Sequence, residues 1–107
     1  MNWKIQIENE IKQAERALKE GNDGRARTCA RRAAGIALKE YDSEQNHPDR
    51  KISSIDRLRE ISTNENLPDK IRKAAQRLIT NVNNRLSENF TFHPIRDANI
   101  IIEYFSS

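Results

Sequence analysis

The residues with the greatest capacity for chemistry are one cysteine and two histidines. Cys29 would be a nucleophile or a redox sensor if its thiolate were accessible, and His47 and His93 could be acid–base groups or metal ligands. A proline follows each histidine directly, which is typical of the start of a helix whose first residue is proline. No further ligands stand at the spacing of a metal site, so the sequence predicts no bound metal.

Cys29 falls in the middle of a predicted helix, on the same side as a series of alanines. No helix N-terminus is near enough to lower its pKa, so we expect a small buried side chain rather than a reactive thiol. The chain has only three glycines and lacks the glycine-rich loops that hold nucleotide phosphates. The sequence therefore predicts no cofactor and favours a binding protein over an enzyme.

Basic residues are concentrated on two predicted helices. The chain has 19 Lys and Arg against 16 Asp and Glu, a net charge of +3. Residues 21–41 contain five basic and two acidic side chains, and residues 67–85 contain five and one, so the rest of the chain is net acidic. Helical spacing aligns six of the basic residues in two ridges, Arg25, Arg32 and Lys39 on the first helix and Lys70, Lys73 and Arg77 on the second. Such ridges fit nucleic-acid phosphates or an acidic protein, or are simply solvated faces.

The elements that carry these residues are predicted from apolar residues at helical spacing. We expect helices over about residues 3–20 and 23–41, a third that begins at Pro48 or after a Ser53 cap, a fourth from about residue 66 to 86, and a last one from Pro94. On the first helix, Glu8–Lys12 and Glu15–Lys19 are predicted i,i+4 ion pairs. A strand is the alternative for the isoleucine run in the last segment. The fold prediction is one all-α domain over residues 1–107, an up-and-down antiparallel bundle of about five helices.

The second helix is predicted to be the centre of the bundle, because its apolar face is mostly alanine and lets other helices approach closely. Gly35 lies on the opposite side of this helix, where glycine costs about 1 kcal/mol relative to alanine. We hypothesise that another helix, or a second copy of the chain, packs closely against Gly35. A tolerated exposed glycine is the alternative.

Cysteine usage and hydropathy bear on the compartment. A single cysteine cannot form an intramolecular disulfide, and the first residues lack the apolar region of a signal peptide. The longest aliphatic run is Ile100-Ile101-Ile102, far short of the roughly 20 residues that span a bilayer. We expect a cytoplasmic protein that does not insert into membranes.

Two segments carry a family resemblance. The segment Ala14–Tyr41, AERALKEGNDGRARTCARRAAGIALKEY, resembles the front half of HEPN domains, where a first helix ends in a glycine turn and an alanine-rich second helix ends in aliphatic-Lys. The tail Asp97–Phe105 is similar to the closing helix of that family. The resemblance implies a bundle of about five helices, often homodimeric, commonly encoded beside nucleotidyltransferases or acting as a ribonuclease in toxin systems. A tetratricopeptide-like helical hairpin is the alternative.

The ribonuclease branch of that family uses an Arg followed by a His after four to six residues, and this chain departs from the pattern. The nearest candidates, Arg85 and His93, have seven residues between them, and they would form an acid–base site only if the loop folds back. The sequence therefore favours a non-catalytic, HEPN-like interaction module that binds a protein partner or itself. The alternative is a metal-independent ribonuclease or RNA-binding protein that uses the basic faces of the second and fourth helices.

Overall fold

The computed structural model describes residues 2–45, 52–80 and 93–106, and within these ranges it contains helices and no strand. The helices are α1 (Trp3–Lys19), α2 (Asp23–Glu44), α3 (Ser54–Thr63), α4 (Asp69–Ile79) and α5 (Pro94–Ser106). The prediction of an all-α bundle is confirmed. The strand alternative for the last segment is wrong, since Pro94 begins a helix that buries Ile101 on its inner face.

The turn between α1 and α2 depends on Gly21. Its φ of +75° is left-handed, which glycine adopts without steric cost. The amides of Gly21 and Asn22 donate to the carbonyls of Leu18 and Ala17 at 3.1 and 2.8 Å, so two free carbonyls at the end of α1 are satisfied. The Asn22 side chain, rather than that of Asp23, caps α2 by accepting from the Arg25 amide at 3.1 Å. This three-residue turn makes α1 and α2 an antiparallel hairpin.

Of the two predicted starts for α3, the structure shows the one at Ser53, whose Oγ accepts from the Asp56 amide at 3.1 Å. Pro48 lies outside the described residues. The fourth helix was expected from about residue 66, and in the structure Pro68 occupies the capping position before it, without a side-chain hydrogen bond. Its ψ of 146° is extended, so the helical conformation begins only at Asp69. The helix ends at Ile79, and Thr80 is extended with a φ of −72° and a ψ of 130°, so the prediction of one continuous helix to about residue 86 is wrong. Residues 81–86 lie outside the described residues.

The core is built around α2, which contacts all four other helices. Its buried residues are mostly alanine, and the larger core side chains come chiefly from its neighbours, as with Leu58, Leu78 and Ile101. The buried arc is wider than the sequence indicates, because it also includes Ala34 and Leu38. A helix surrounded on most of its circumference buries more than one stripe.

Gly35 lies against the first residue of α3. A Cβ built on Gly35 would overlap the Ser54 Oγ and would lie 2.7 Å from the Ser54 Cβ and 3.4 Å from its Cα. The closely packed neighbour of Gly35 is therefore another helix of the same chain. This contact fixes how near the start of α3 approaches α2.

Two arginines make polar contacts that join helices. Arg57 of α3 donates from Nε and Nη2 to the two carboxylate oxygens of Asp42 on α2, at 2.8 and 2.7 Å. Arg31 of α2 donates from Nη1 to the carbonyl of Leu78 in the last turn of α4, at 3.1 Å. Burial lowers the pKa of Arg31, and its cation lies at the negative end of the α4 dipole. Both contacts join residues that are distant in the sequence.

We expect Gly35→Ala to lower the free energy of unfolding by about 1 kcal/mol, because the overpacking cost of about 1–3 kcal/mol exceeds the roughly 1 kcal/mol gained from helix propensity. Gly24→Ala is the control, since its Cβ would meet only the Asn22 Oδ1, at 3.9 Å, and should be neutral or stabilising. Urea denaturation measures both. Equal stabilisation by the two changes would contradict the close contact.

We expect Asp42→Asn to lower the free energy of unfolding by about 2 kcal/mol, because it leaves the largely buried Arg57 guanidinium with only the longer contact, at 3.3 Å, to the 40% exposed Glu60 carboxylate. The Arg57 and Asp42 side chains are 14% and 11% exposed. Asp56→Asn is the control, since its pair with Arg59 is about 60% exposed on both sides and should cost below about 1 kcal/mol. Similar losses in the two variants would show that the Arg57–Asp42 pair contributes little.

Candidate functional site

The three basic side chains of the α2 ridge, Arg25, Arg32 and Lys39, are all exposed. They lie along one line of the helix at seven-residue steps, which places them about 10 Å apart. Within the described part of the chain none of them forms an ion pair. Arg25 donates from Nη2 to the neutral Gln13 Oε1 of α1 at 3.3 Å, which directs its guanidinium toward α1 without forming an ion pair.

On α4 the corresponding residues are mostly engaged within the protein. The Lys73 Nζ lies 3.0 Å from the Asp69 Oδ2, and this Lys73 hydrogen bond is the main cause that lowers the pKa of Asp69. Arg72 also contacts Asp69, at 3.2 Å. Lys70 is exposed and, in the residues described, makes no ion pair. The α4 surface is therefore less positive than its sequence suggests.

Arg77 joins α4 to α5. Its Nε and Nη2 donate to the Asp97 Oδ1 at 3.0 and 2.8 Å, and the Asp97 side chain is only 4% exposed. Asp97 stands in the first turn of α5, where a carboxylate also interacts favourably with the helix dipole. The sequence offered Arg77 as a partner-binding residue, and the structure places it in an ion pair between two helices.

An open groove lies between α1 and the start of α2, with a volume of about 410 Å³. The residues that line it are Asn9, Lys12, Gln13, Arg16, Ala17, Glu20 and Arg25. Three cations and one carboxylate thus face the groove. The predicted pairs Glu8–Lys12 and Glu15–Lys19 are not formed, so Lys12 has no carboxylate partner in the described structure.

Sequence reasoning missed the contribution of Lys12 and Arg16 because it considered each helix separately. The two residues are one turn apart on α1, and Arg25 follows only three residues after the Gly21–Asn22 turn. In an antiparallel hairpin, residues equally distant from the turn lie side by side. Counting outward from Gly21, Arg16 is five residues away and Arg25 is four, so the two residues stand at nearly the same level of the hairpin.

The candidate reactive residues occupy ordinary structural positions where they are described. Cys29 is 2% exposed, as predicted, and desolvation by burial, followed by the nearby Glu10 carboxylate, raises the pKa of its thiol. His93 is exposed and directly precedes α5, where its carbonyl accepts from the Asp97 amide at 3.1 Å. Its placement just before a helix start agrees with the interpretation of the His-Pro pair. His47 and Arg85 lie outside the described residues, so the Arg85–His93 hypothesis stays a prediction.

Across residues 2–45, 52–80 and 93–106, no group of three or more His, Cys, Asp and Glu side chains is placed to hold a metal ion. None of the helices in these ranges has the length and apolar character needed to cross a bilayer.

Comparisons with models of protein families, with curated proteins and with solved structures find no match to this chain. The site must therefore be interpreted from its own chemistry.

We expect the Cys29 thiol to react with Ellman's reagent at pH 8 at least about 100-fold more slowly in the folded protein than in urea, because access and thiolate fraction are both reduced. The pKa of the Cys29 thiol is higher in the folded state than in the unfolded state, where it is about 8.5. The free energy of unfolding should therefore fall as the pH rises above about 8.5. Cys29→Ala should remove the part of this fall that is due to the thiol. Equally fast labelling in both states would contradict the burial of the thiol.

Proposed function

We propose that this chain is a non-catalytic helical interaction module, HEPN-like in its front half, that binds an acidic partner through the α1–α2 hairpin. We call its binding surface the hairpin basic face, formed by Lys12, Arg16, Arg25, Arg32 and Lys39. The observation that carries the proposal is that all five side chains are exposed and that none forms an ion pair within the described structure. The corresponding cations Lys73 and Arg77 on α4 are paired internally.

Unpaired like charges at close range have an electrostatic cost. Lys12, Arg16 and Arg25 share one groove in which Glu20 is the single carboxylate. Their mutual repulsion raises the free energy of the unbound protein, and an anion in the groove would relieve it. Relief of this repulsion on binding favours the complex with an acidic partner over the unbound protein.

A second copy of the chain fits this face poorly. A symmetric dimer would bring one hairpin basic face against another, and like-charge contacts across an interface are unfavourable. Gly35 gives no separate reason for self-association, because its close neighbour is Ser54 of the same chain. The acidic partner is therefore a different molecule.

The test is binding to fluorescent polyanions, namely polyglutamate, heparin and a nucleic-acid duplex, at about 50 mM salt. We expect at least one to bind. The triple variant Lys12→Gln, Arg16→Gln, Arg25→Gln should weaken that binding at least tenfold, since three of the cations are lost. The matched control, Arg59→Gln, Lys70→Gln, Arg96→Gln, removes the same charges from exposed positions elsewhere and should change affinity less than about threefold.

Two results would contradict the proposal. Failure of every polyanion to bind at low salt would remove the interaction role of the hairpin basic face. Cleavage of mixed RNA in EDTA, abolished by His93→Ala, would instead support the alternative, a metal-independent ribonuclease.

A further inference from the structure

The groove of the hairpin basic face is lined by groups that donate hydrogen bonds to oxygen anions. Besides its three cations it contains the side-chain amides of Asn9 and Gln13, and Ala17 is its single apolar lining residue. Protein–protein interfaces derive most of their affinity from aromatic and aliphatic anchors in apolar pockets. Lys, Arg, Asn and Gln are instead the side chains that contact phosphate oxygens in nucleic-acid complexes. The lining therefore favours a phosphate backbone over an acidic protein.

The shape of the face favours an extended polyanion. The groove lies at one end of the face, and Arg32 and Lys39 continue from Arg25 along α2 at steps of about 10 Å. A small phosphorylated ligand in the groove would leave Lys39 two such steps away. A nucleic-acid backbone presents charge continuously along its length, so it can reach the groove and the ridge together.

The described lining of the groove contains no group on which a base could stack, which favours a duplex over a single strand. The Tyr41 and Phe105 rings pack edge to face with centroids 5.0 Å apart, and Tyr104 packs on Phe105 at the same distance. Trp3 has the Lys4 Nζ 5.6 Å from its ring centroid, and none of these four aromatic residues lines the groove. Proteins that bind single strands combine basic grooves with aromatic platforms for the bases, and this groove offers only contacts to a backbone.

We propose that the hairpin basic face binds the phosphate backbone of double-stranded nucleic acid and does not read its sequence. The groove residues Lys12, Arg16 and Arg25 hold one stretch of backbone, and Arg32 and Lys39 contact phosphates further along. Glu20 at the groove repels phosphate and so confines the backbone to the side formed by the cations. This inference depends on the proposed function, because it names the chemistry of the acidic partner.

The experiment measures fluorescence anisotropy with 20-base-pair RNA and DNA duplexes of two unrelated sequences, a 20-nucleotide polyuridine and polyglutamate of equal charge, from about 50 to 200 mM salt. We expect all the duplexes to bind within about threefold of one another, because the face contacts phosphates and no base edges. They should bind more tightly than polyuridine, which lacks stacking partners on this face, and more tightly than polyglutamate, which has no phosphates. The slope of log K against log salt should become less negative by about 0.9 for each phosphate contact removed. The triple variant Lys12→Gln, Arg16→Gln, Arg25→Gln should therefore make the slope less negative by about 2 to 3.

The same matched control, Arg59→Gln, Lys70→Gln, Arg96→Gln, should leave the slope unchanged, and circular dichroism confirms that both variants are folded. Tighter binding of polyglutamate than of duplex would overturn the duplex inference but leave the proposed function standing. Tighter binding of polyuridine, or an unchanged slope in the Lys12, Arg16, Arg25 variant, would also overturn it. Failure of every probe to bind would remove the inference and the proposed function together.

Discussion

Four helices approach α2 closely because most of its buried side chains are small, five of the nine being alanine. The same requirement for close approach extends to Gly35, where a side chain would collide with Ser54 of α3. Small residues on one helix bring the backbones together, and large residues from α3, α4 and α5 then fill the space around them. Most of the tertiary structure depends on this arrangement, since α2 contacts each of the other helices.

This packing decides which charges remain available for binding. With most of its circumference covered, α2 has a narrow exposed strip, and Arg25, Arg32 and Lys39 lie along it. The other arginines of the helix face inward, where Arg27 is buried and Arg31 contacts the end of α4. Between Trp3 and Glu44 the α1–α2 hairpin has nine basic and eight acidic side chains, a net charge of +1, so its positive charge is confined to the hairpin basic face. On α4, Lys73 and Arg77 are paired with carboxylates.

Much of the fold could be predicted from the sequence because its signals are local. Helical spacing of apolar residues, the Gly21 turn, the Ser53 cap and the proline at the start of α5 each act within a few residues of the chain. The fourth helix was predicted to begin near residue 66 and begins at Asp69, because a proline fits both the capping position and the first helical turn. The predicted buried arc of α2 was narrower than the observed one, because the sequence of a single helix does not indicate how many other helices contact it.

The candidate site was harder to predict because it depends on pairs of residues distant in the sequence. The basic ridge on α2 was identified from its seven-residue spacing, but the groove requires Lys12 and Arg16 from another helix. The ion pairs Arg57–Asp42 and Arg77–Asp97 join residues 15 and 20 positions apart, and no local pattern indicates them. Sequence spacing finds aligned charges, and only the tertiary structure shows which of them are neutralised.

The most direct test of the account is to map the surface of the protein that a nucleic-acid duplex contacts. In a titration of the ¹⁵N-labelled chain followed by heteronuclear correlation spectra, we expect the largest shifts at the amides and side chains of Lys12, Arg16, Arg25 and Arg32. Residues of α4 and α5 should shift little. Shifts centred on Asp69–Ile79, or spread evenly over the helices, would contradict the account.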